Sequence, residues 1–140
     1  MNVLTILLTI VVSYLLGSLP LGSRLIQAIT GKKARDFSAH NLGLENLLRF
    51  VGTPVALASF SLDLIKGFAA LALFAASPWA ALGVYAGHLY PLPQLNRGEI
   101  PRGRGNGVML GILAAFWAFG GLSFGAVLLP VAIYAILLAL

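Results

Sequence analysis

The residue types best suited to chemistry lie in two basic loops that contain glycine, each between long apolar segments. The first loop runs from Arg24 to Arg49 and the second from Asn96 to Gly107. Backbone NH groups of glycine-containing turns and the planar guanidinium of arginine both donate well to phosphate oxygens. We therefore predict that these two loops bind phosphate-bearing ligands.

The first loop places its candidate phosphate ligands near its end. They are Ser38, Asn41, Gly43, Asn46 and Arg49. Asn and Gly supply turn conformations and free NH groups, and the arginine can donate two hydrogen bonds to one phosphate. The alternative is an interfacial helix with Asn41 as its N-cap. The apolar face of that helix would consist of Leu42, Leu44, Leu47 and Leu48.

The second loop ends in Arg104, Gly105, Asn106 and Gly107, directly before an apolar segment. A helix that begins there directs its first NH groups and its dipole at a bound anion. The loop lacks the Gly-Lys-Ser/Thr ending of a Walker sequence. The alternative interpretation is a flexible, positively charged turn.

Three ionisable residues lie inside the apolar segments or at their ends. Asp63 and Lys66 are three residues apart, so they share a helical face and can pair. Such charges are costly in a membrane and usually functional, so the pair either fixes helix packing or lines a polar cavity. His88 could act as a general acid or base, or donate to an anion. Alternatively, it is an interfacial histidine bonded to a backbone carbonyl.

The composition identifies the elements that must position these residues. The chain of 140 residues is 59% hydrophobic and 9% charged, with a mean hydropathy of +0.95. These values exclude an ordinary soluble domain. Because a spanning helix needs about 20 apolar residues, we predict one all-α membrane domain over residues 1–140, a compact bundle of about five transmembrane helices. The predicted spans are Val3–Ile26, Val51–Ala76, Trp79–Leu95, Gly107–Phe119 and Leu122–Leu140.

Prolines mark the expected irregularities of this bundle. Pro20 removes a backbone donor within the first span, so we expect the freed carbonyl groups to face protein or water. Thr53-Pro54 suits the start of the second span, and Ser77-Pro78 marks the turn before the third. The fourth span is short, so it crosses only with help from the second loop or from a locally thinner bilayer.

The charge pattern predicts the orientation of the chain. The formal net charge is +5, and Lys and Arg occur in both basic loops but not in the second and fourth connections between the predicted spans. By the positive-inside rule, both loops are cytoplasmic and the N-terminus is external. Because this rule explains the basic residues, no nucleic-acid partner needs to be invoked for them. The predicted partner of the protein surface is the lipid bilayer. The chain has no cysteine, which excludes disulfides and thiolate metal sites.

Taken together, the motifs have the order and spacing of one known family. They are Ser13 to Gly22, Asn41-x-Gly43-x-x-Asn46-x-x-Arg49, Asp63-x-x-Lys66-Gly67, Gly87-His88-x-x-Pro91 and Gly105-x-Gly107-Val108. In these motifs, residues 10 to 110 resemble the PlsY family of bacterial membrane acyltransferases. That family moves a fatty acyl group from acyl phosphate to glycerol 3-phosphate, which gives lysophosphatidic acid.

The resemblance implies a phospholipid-biosynthesis enzyme of the bacterial inner (plasma) membrane, with its active face in the cytoplasm. The implied ligands are acyl phosphate and glycerol 3-phosphate, without a metal or other cofactor, and homo- or hetero-oligomers are both compatible with it. Lys66 or His88 would assist catalysis. The implied phosphate-binding residues are Ser38, Asn41, Gly43, Asn46, Arg49, Arg104, Gly105, Asn106 and Gly107.

Two loop residues depart from the family pattern. Ala39 replaces a serine, although Ser38 is adjacent, and Asn106 replaces a lysine, with Arg104 two residues earlier. Arginine and lysine differ in geometry at such sites. Family members also continue into further spans whose Asn and His complete the site, so we expect part of that site to be missing from a sequence that ends at Leu140.

These departures motivate a second hypothesis. The chain would then be a catalytically impaired relative that binds phosphate-bearing ligands or lipid, or that supports a partner membrane protein. A third hypothesis is a small transporter or channel subunit that uses Asp63 and Lys66. It is disfavoured because no inverted repeat is visible in the sequence.

Overall fold

The computed structural model describes residues 2–33, 36–37, 43–92 and 105–119. All regular structure in these ranges is helical, which confirms the all-α part of the predicted fold class for the described residues. The fifth predicted span, Leu122–Leu140, lies outside the described residues. The helices are α1 (Val3–Ser18), α2 (Leu21–Thr30), α3 (Leu44–Val51), α4 (Thr53–Leu73), α5 (Pro78–Leu89) and α6 (Asn106–Phe119).

The first predicted span, Val3–Ile26, is not one continuous helix. It divides at Leu19 and Pro20, because proline has no NH group to continue the hydrogen-bond ladder. The Leu19 NH group bonds instead to the Leu16 carbonyl at 3.2 Å. The second helix then extends beyond the prediction, to Thr30, so the polypeptide bends at the end of α1.

The second predicted span, Val51–Ala76, begins two residues later than expected. Gly52 separates α3 from α4 with φ 84° and ψ 160°, a backbone conformation that is essentially restricted to glycine. Pro54 lies in the first turn of α4, as predicted. The end of the first loop is helical, as in the alternative interpretation, but the N-cap of α3 is Gly43, so that alternative is wrong in its choice of Asn41 as N-cap.

The turn between α4 and α5 also shortens the predicted spans. Ala75 and Ala76 adopt positive φ angles of 48° and 56°, and the Ala76 NH group bonds to the Leu71 carbonyl at 2.8 Å. This turn ends α4 at Leu73 rather than at Ala76. The next helix starts at Pro78, as the sequence indicates, and ends at Leu89, before Pro91. Of the predicted extension to Leu95, residues 93–95 lie outside the described ranges.

Glycines allow α1 and α5 to pack closely and in parallel. Gly83 lies against the Ile10 carbonyl and Gly87 against the Tyr14 carbonyl. The contacting residue is thus four positions later on both helices, which shows that the two helices run in the same direction. A spacing of four residues between small side chains is typical of closely packed membrane helices. The hydroxyl of Tyr14 also donates to the Tyr90 carbonyl at 2.6 Å, which fixes the end of α5 to α1.

A second parallel pair consists of α4 and α6. Gly107 lies against Phe60 and Gly111 against Leu64, again four residues apart on each helix. Between the two pairs, a core of buried side chains joins α4, α5 and α6. It contains Ala70, Leu71, Ala80, Val84, Val108, Ile112 and Ala115.

This packing brings the described helix ends that border both basic loops to one end of the bundle. The ends of α1 and α5 and the start of α6 meet beside the middle of α4, through contacts of Leu19, His88 and Gly107 described below. A separate cluster of Ile26, Leu47 and Ala56 packs α2 and α3 on the first half of α4. The orientation of this end toward the cytoplasm stays a prediction.

Two helical segments of the described chain are long and apolar enough to cross a membrane. They are Val3–Thr30 and Thr53–Leu73, and Asn106–Phe119 is a shorter apolar helix. At about 1.5 Å per residue, the 14 residues of α6 span about 21 Å, less than a typical hydrocarbon core of about 30 Å. The described helix agrees with the predicted bounds Gly107–Phe119 to within one residue, and the residues after Phe119 lie outside the described ranges.

The glycine packing makes a testable prediction. A methyl group at Gly83 would lie 2.6 Å from the Ile10 carbonyl oxygen. Although Gly→Ala normally favours a helix, Gly83→Ala should destabilise the protein by about 1–3 kcal/mol, because backbone atoms must separate. The control Ala86→Leu adds bulk at an exposed position of the same helix and should be close to neutral. Thermal unfolding in detergent measures both; a Gly83→Ala protein as stable as wild type would contradict this packing.

Candidate functional site

Lys66 lies at the centre of the candidate site and contacts three acceptors. Its Nζ atom is 3.3 Å from Asp63 Oδ1, 3.2 Å from the Leu19 carbonyl oxygen and 3.2 Å from His88 Nδ1. The side chain is only 4% exposed. The predicted pairing of Asp63 with Lys66 is therefore confirmed. An ammonium group has three NH donors, and each has an acceptor from the protein itself.

The Leu19 carbonyl is available because the chain bends at Pro20. This oxygen accepts the Leu21 NH group at 3.0 Å and the Lys66 ammonium at 3.2 Å. A carbonyl oxygen can accept two hydrogen bonds, so both are satisfied at once. The carbonyl that loses its helical donor through Pro20 is that of Leu16, four residues earlier, and it accepts the Leu19 NH group, so the expectation that freed carbonyls face protein is confirmed there. The sequence did not identify Lys66 as the partner of the Leu19 carbonyl, which becomes available because the helix breaks between α1 and α2.

His88 occupies the last turn of α5, with its side chain 13% exposed. Its Nδ1 atom lies 3.2 Å from Lys66 Nζ and 3.8 Å from Asp63 Oδ1. Only the first distance is short enough for a hydrogen bond. The described contact of the His88 ring is thus with the Lys66 side chain of α4. The alternative interpretation of the sequence was a hydrogen bond from His88 to a backbone carbonyl.

The end of the second loop lies directly beside this cluster. Gly105 has φ 72°, and a methyl group there would lie 2.8 Å from Tyr85 Cε2 and 3.4 Å from His88 Cδ2. The helix α6 begins at the next residue, and a methyl group at Gly107 would lie 2.9 Å from Asp63 Cβ. The first NH groups of α6, which favour anions, therefore lie near both His88 and Asp63.

The end of the first loop packs on α4 but at a different level. Gly43 caps α3, Asn46 is half-buried within it, and Arg49 is exposed in its last turn. Leu47 fixes this helix against Ala56 of α4. From Ala56 to Asp63 is two helical turns on the same face, or about 10 Å.

The structure thus joins only some of the predicted site residues directly. Lys66, His88, Gly105 and Gly107 surround one point with Asp63, and α6 starts at Asn106, which is half-buried. Gly43, Asn46 and Arg49 belong to the neighbouring packing unit of α2, α3 and the start of α4. Ser38, Asn41 and Arg104 lie outside the described residues. In the described ranges, no three His, Asp or Glu side chains are grouped as a metal site requires.

Comparison with known proteins agrees with this arrangement of motifs. The family model described as glycerol-3-phosphate acyltransferase matches residues 7–140. The chain belongs to this family, known as PlsY. The family resemblance read from the motifs is therefore confirmed. No solved structure gave a significant match.

Individual family members match over most of this chain. A glycerol-3-phosphate acyltransferase of Prochlorococcus marinus is 37% identical over 138 residues, which is 93% of this chain and 65% of the relative. The protein of the same name from Parasynechococcus marenigrum is 34% identical over 141 residues, covering 96% and 65%. That of Mesorhizobium japonicum is 36% identical over 113 residues, covering 77% and 56%. The chain thus spans between half and two thirds of the length of these relatives.

The contact between Gly105 and its neighbours can be tested with a matched glycine. Gly105 and Gly31 have nearly equal φ angles of 72° and 69°, but a methyl group at Gly31 would meet no atom within 4 Å. Both Gly→Ala changes should share a backbone cost of about 1–2 kcal/mol. Gly105→Ala should cost more, because its methyl group also displaces the Tyr85 ring. In a Tyr85→Ala background, Gly105→Ala and Gly31→Ala should lower the free energy of unfolding by the same amount, as measured by thermal unfolding. A difference that persists in this background would contradict the Tyr85 contact.

Proposed function

We propose that this protein is a membrane acyltransferase that transfers a fatty acyl group from acyl phosphate to glycerol 3-phosphate and so forms lysophosphatidic acid. One observation carries the proposal most directly. His88 and Asp63 lie beside the N-terminal turn of α6, at the bundle end from which both basic loops emerge. Family membership supplies the reaction class, and relatives named glycerol-3-phosphate acyltransferase supply the acceptor substrate.

The proposed reaction needs little covalent chemistry from the protein. A hydroxyl oxygen of glycerol 3-phosphate forms a bond to the acyl carbon, and the bond from that carbon to the phosphate oxygen breaks. The hydroxyl proton ends on the released inorganic phosphate, so atoms and charge balance without a protein nucleophile. The protein contributes by holding two phosphate groups close together and by stabilising charge that develops on the carbonyl and leaving oxygens.

The two loops divide this task in the proposal. Arg49 binds one phosphate through its guanidinium, with Gly43 and Asn46 beside it on α3. The NH groups of the turn from Gly105 to Gly107 bind the second anion at the start of α6. Ser38, Asn41 and Arg104 are proposed as further phosphate ligands on the strength of the family motif.

The location of the cluster suits a substrate with a polar head and a lipid tail. Apolar side chains cover the outward faces of the helices, among them Leu82 of α5 and Met109 of α6, which are 61% and 38% exposed. A fatty chain can lie against such surfaces in the bilayer while its phosphate reaches the basic loops. We propose the inner membrane of a bacterium, with these loops in the cytoplasm.

The decisive experiment compares two exposed arginines in an acyl-transfer assay. Arg49 and Arg24 are both exposed, but only Arg49 belongs to the proposed phosphate site. With purified protein, acyl phosphate and radiolabelled glycerol 3-phosphate, Arg49→Ala should lower kcat/KM about 10- to 100-fold. This range corresponds to the loss of a charge-assisted hydrogen bond worth about 1.5–3 kcal/mol. Arg24→Ala should retain wild-type turnover.

The same assay separates the proposal from a binding-only relative. The position of Asn106, where the family has lysine, motivates that second candidate function. If the folded wild-type protein is stabilised thermally by glycerol 3-phosphate or by acyl phosphate but forms no lysophosphatidic acid, the binding-only function is correct. Turnover that is equally lost in Arg24→Ala and Arg49→Ala would instead contradict the assignment of the phosphate site to α3.

A further inference from the structure

We propose that Lys66 is a positioning residue that holds the His88 imidazole neutral, with its proton on Nε2, so that His88 acts as a hydrogen-bond donor and not as a base. The inference rests on the proposed acyltransferase function only for what His88 contacts during the reaction. The positioning itself follows from the contacts of Lys66.

The first step is the allocation of the Lys66 hydrogens. Asp63 Oδ1, the Leu19 carbonyl and His88 Nδ1 surround its Nζ atom at 3.2–3.3 Å. The Leu19 carbonyl and an ionised Asp63 carboxylate can only accept, and they use two of the three NH donors of a Lys66 ammonium. The third is directed at His88 Nδ1, which must therefore present a lone pair.

The second step excludes the other forms of the ring. A proton on Nδ1 would point at the Lys66 ammonium, and the nearby acceptor among the described residues, Asp63 Oδ1, is 3.8 Å away. That distance is too long for a hydrogen bond. An imidazolium would also place two positive charges 3.2 Å apart beside a single carboxylate. With Lys66 as an ammonium, the arrangement that satisfies every group is Asp63 ionised and His88 neutral with hydrogen on Nε2.

The third step concerns where that hydrogen is available. The Cδ2 atom, which is bonded to Nε2, lies on the side of Gly105, where a methyl group would be 3.4 Å from it. The free donor edge of the ring is thus next to the turn that starts α6. A donor there supplements the NH groups of α6 toward a leaving phosphate or a carbonyl oxygen. A base is not required, because the proton of the acceptor hydroxyl ends on the released phosphate.

The same geometry makes Lys66 unavailable to substrate. Its side chain is 4% exposed, and its donors are occupied by the protein. It acts on the reaction only through His88 and through the junction of α1 with α2 at Leu19. Lys66 is accordingly distinguished from Arg49, whose side chain is exposed and can reach a ligand.

Nitrogen-15 NMR of the imidazole tests the proposal without an activity measurement. The chain has two histidines, so His40→Gln leaves His88 as the single signal. In the purified full chain, we expect a protonated Nε2 and an unprotonated Nδ1, assigned by their couplings to the ring protons. In Lys66→Met the Nδ1 resonance should shift, because Nδ1 loses its hydrogen-bond donor. Ser59→Ala, which removes a buried hydroxyl from the same helix, should leave it unchanged.

A proton on Nδ1 in the His40→Gln protein would overturn the proposal, as would an unchanged Nδ1 resonance in folded Lys66→Met. Should Lys66→Met fail to fold, two variants at His88 decide. Glutamine can place an amide nitrogen near the position of Nε2, and asparagine near that of Nδ1. His88→Gln should retain at least about tenfold more kcat than His88→Asn, with KM for glycerol 3-phosphate similar in both. The reverse order would overturn the proposal.

Failure of the proposed function gives a different result. If the wild-type protein shows the Nε2–H form but no acyl transfer under any donor, the acyltransferase function is wrong and the positioning by Lys66 stands. If transfer occurs but the ring carries its proton on Nδ1, the function stands and the positioning is wrong. The spectroscopic and kinetic measurements therefore report on the two statements separately.

Discussion

The buried ammonium of Lys66 is the interaction on which the rest of the described structure depends. A charge removed from water is tolerated only when its donors are paired, and loss of one partner of a buried pair typically costs about 3–5 kcal/mol. Here the partners come from separate parts of the chain: Asp63 from α4 itself, His88 from α5 and the Leu19 carbonyl from the junction of α1 and α2. One side chain thus ties together the bundle end that carries both basic loops.

Such convergence requires that the helix backbones approach closely, and small residues make this possible. Gly83 and Gly87 bring α5 onto α1, while Gly107 and Gly111 bring α6 onto α4. Apolar burial drives membrane helices together weakly, because lipid is as apolar as the protein, so close packing and hydrogen bonds must supply the specificity. The parallel direction within each pair then places the ends of α1 and α5 at the same level as the start of α6.

The sequence predicted the local parts of this arrangement and not the contacts between distant segments. Asp63 and Lys66 pair because a spacing of three residues puts them on one helical face, and Pro20 indicates an unpaired carbonyl through covalent chemistry alone. That Lys66 and Leu19 are partners depends on how α1 meets α4, which composition and periodicity do not encode. The N-cap of α3 was misplaced for a local reason. Asn and Gly are both acceptable N-cap residues, so residue type alone does not choose between Asn41 and Gly43.

The arrangement along α4 explains how a short chain segment could serve two anions at once. Ala56 contacts α3, which carries Arg49, and Asp63, two turns later, adjoins the start of α6. A single rigid helix therefore fixes the spacing between the proposed phosphate site at Arg49 and the proposed anion site at the start of α6. Under the proposed reaction this spacing matters more than any acid or base, because acyl phosphate is already activated and the reacting groups need chiefly to be held in contact. A histidine fixed as a neutral donor fits that requirement, since it adds stabilisation for developing negative charge without exchanging a proton with the substrates.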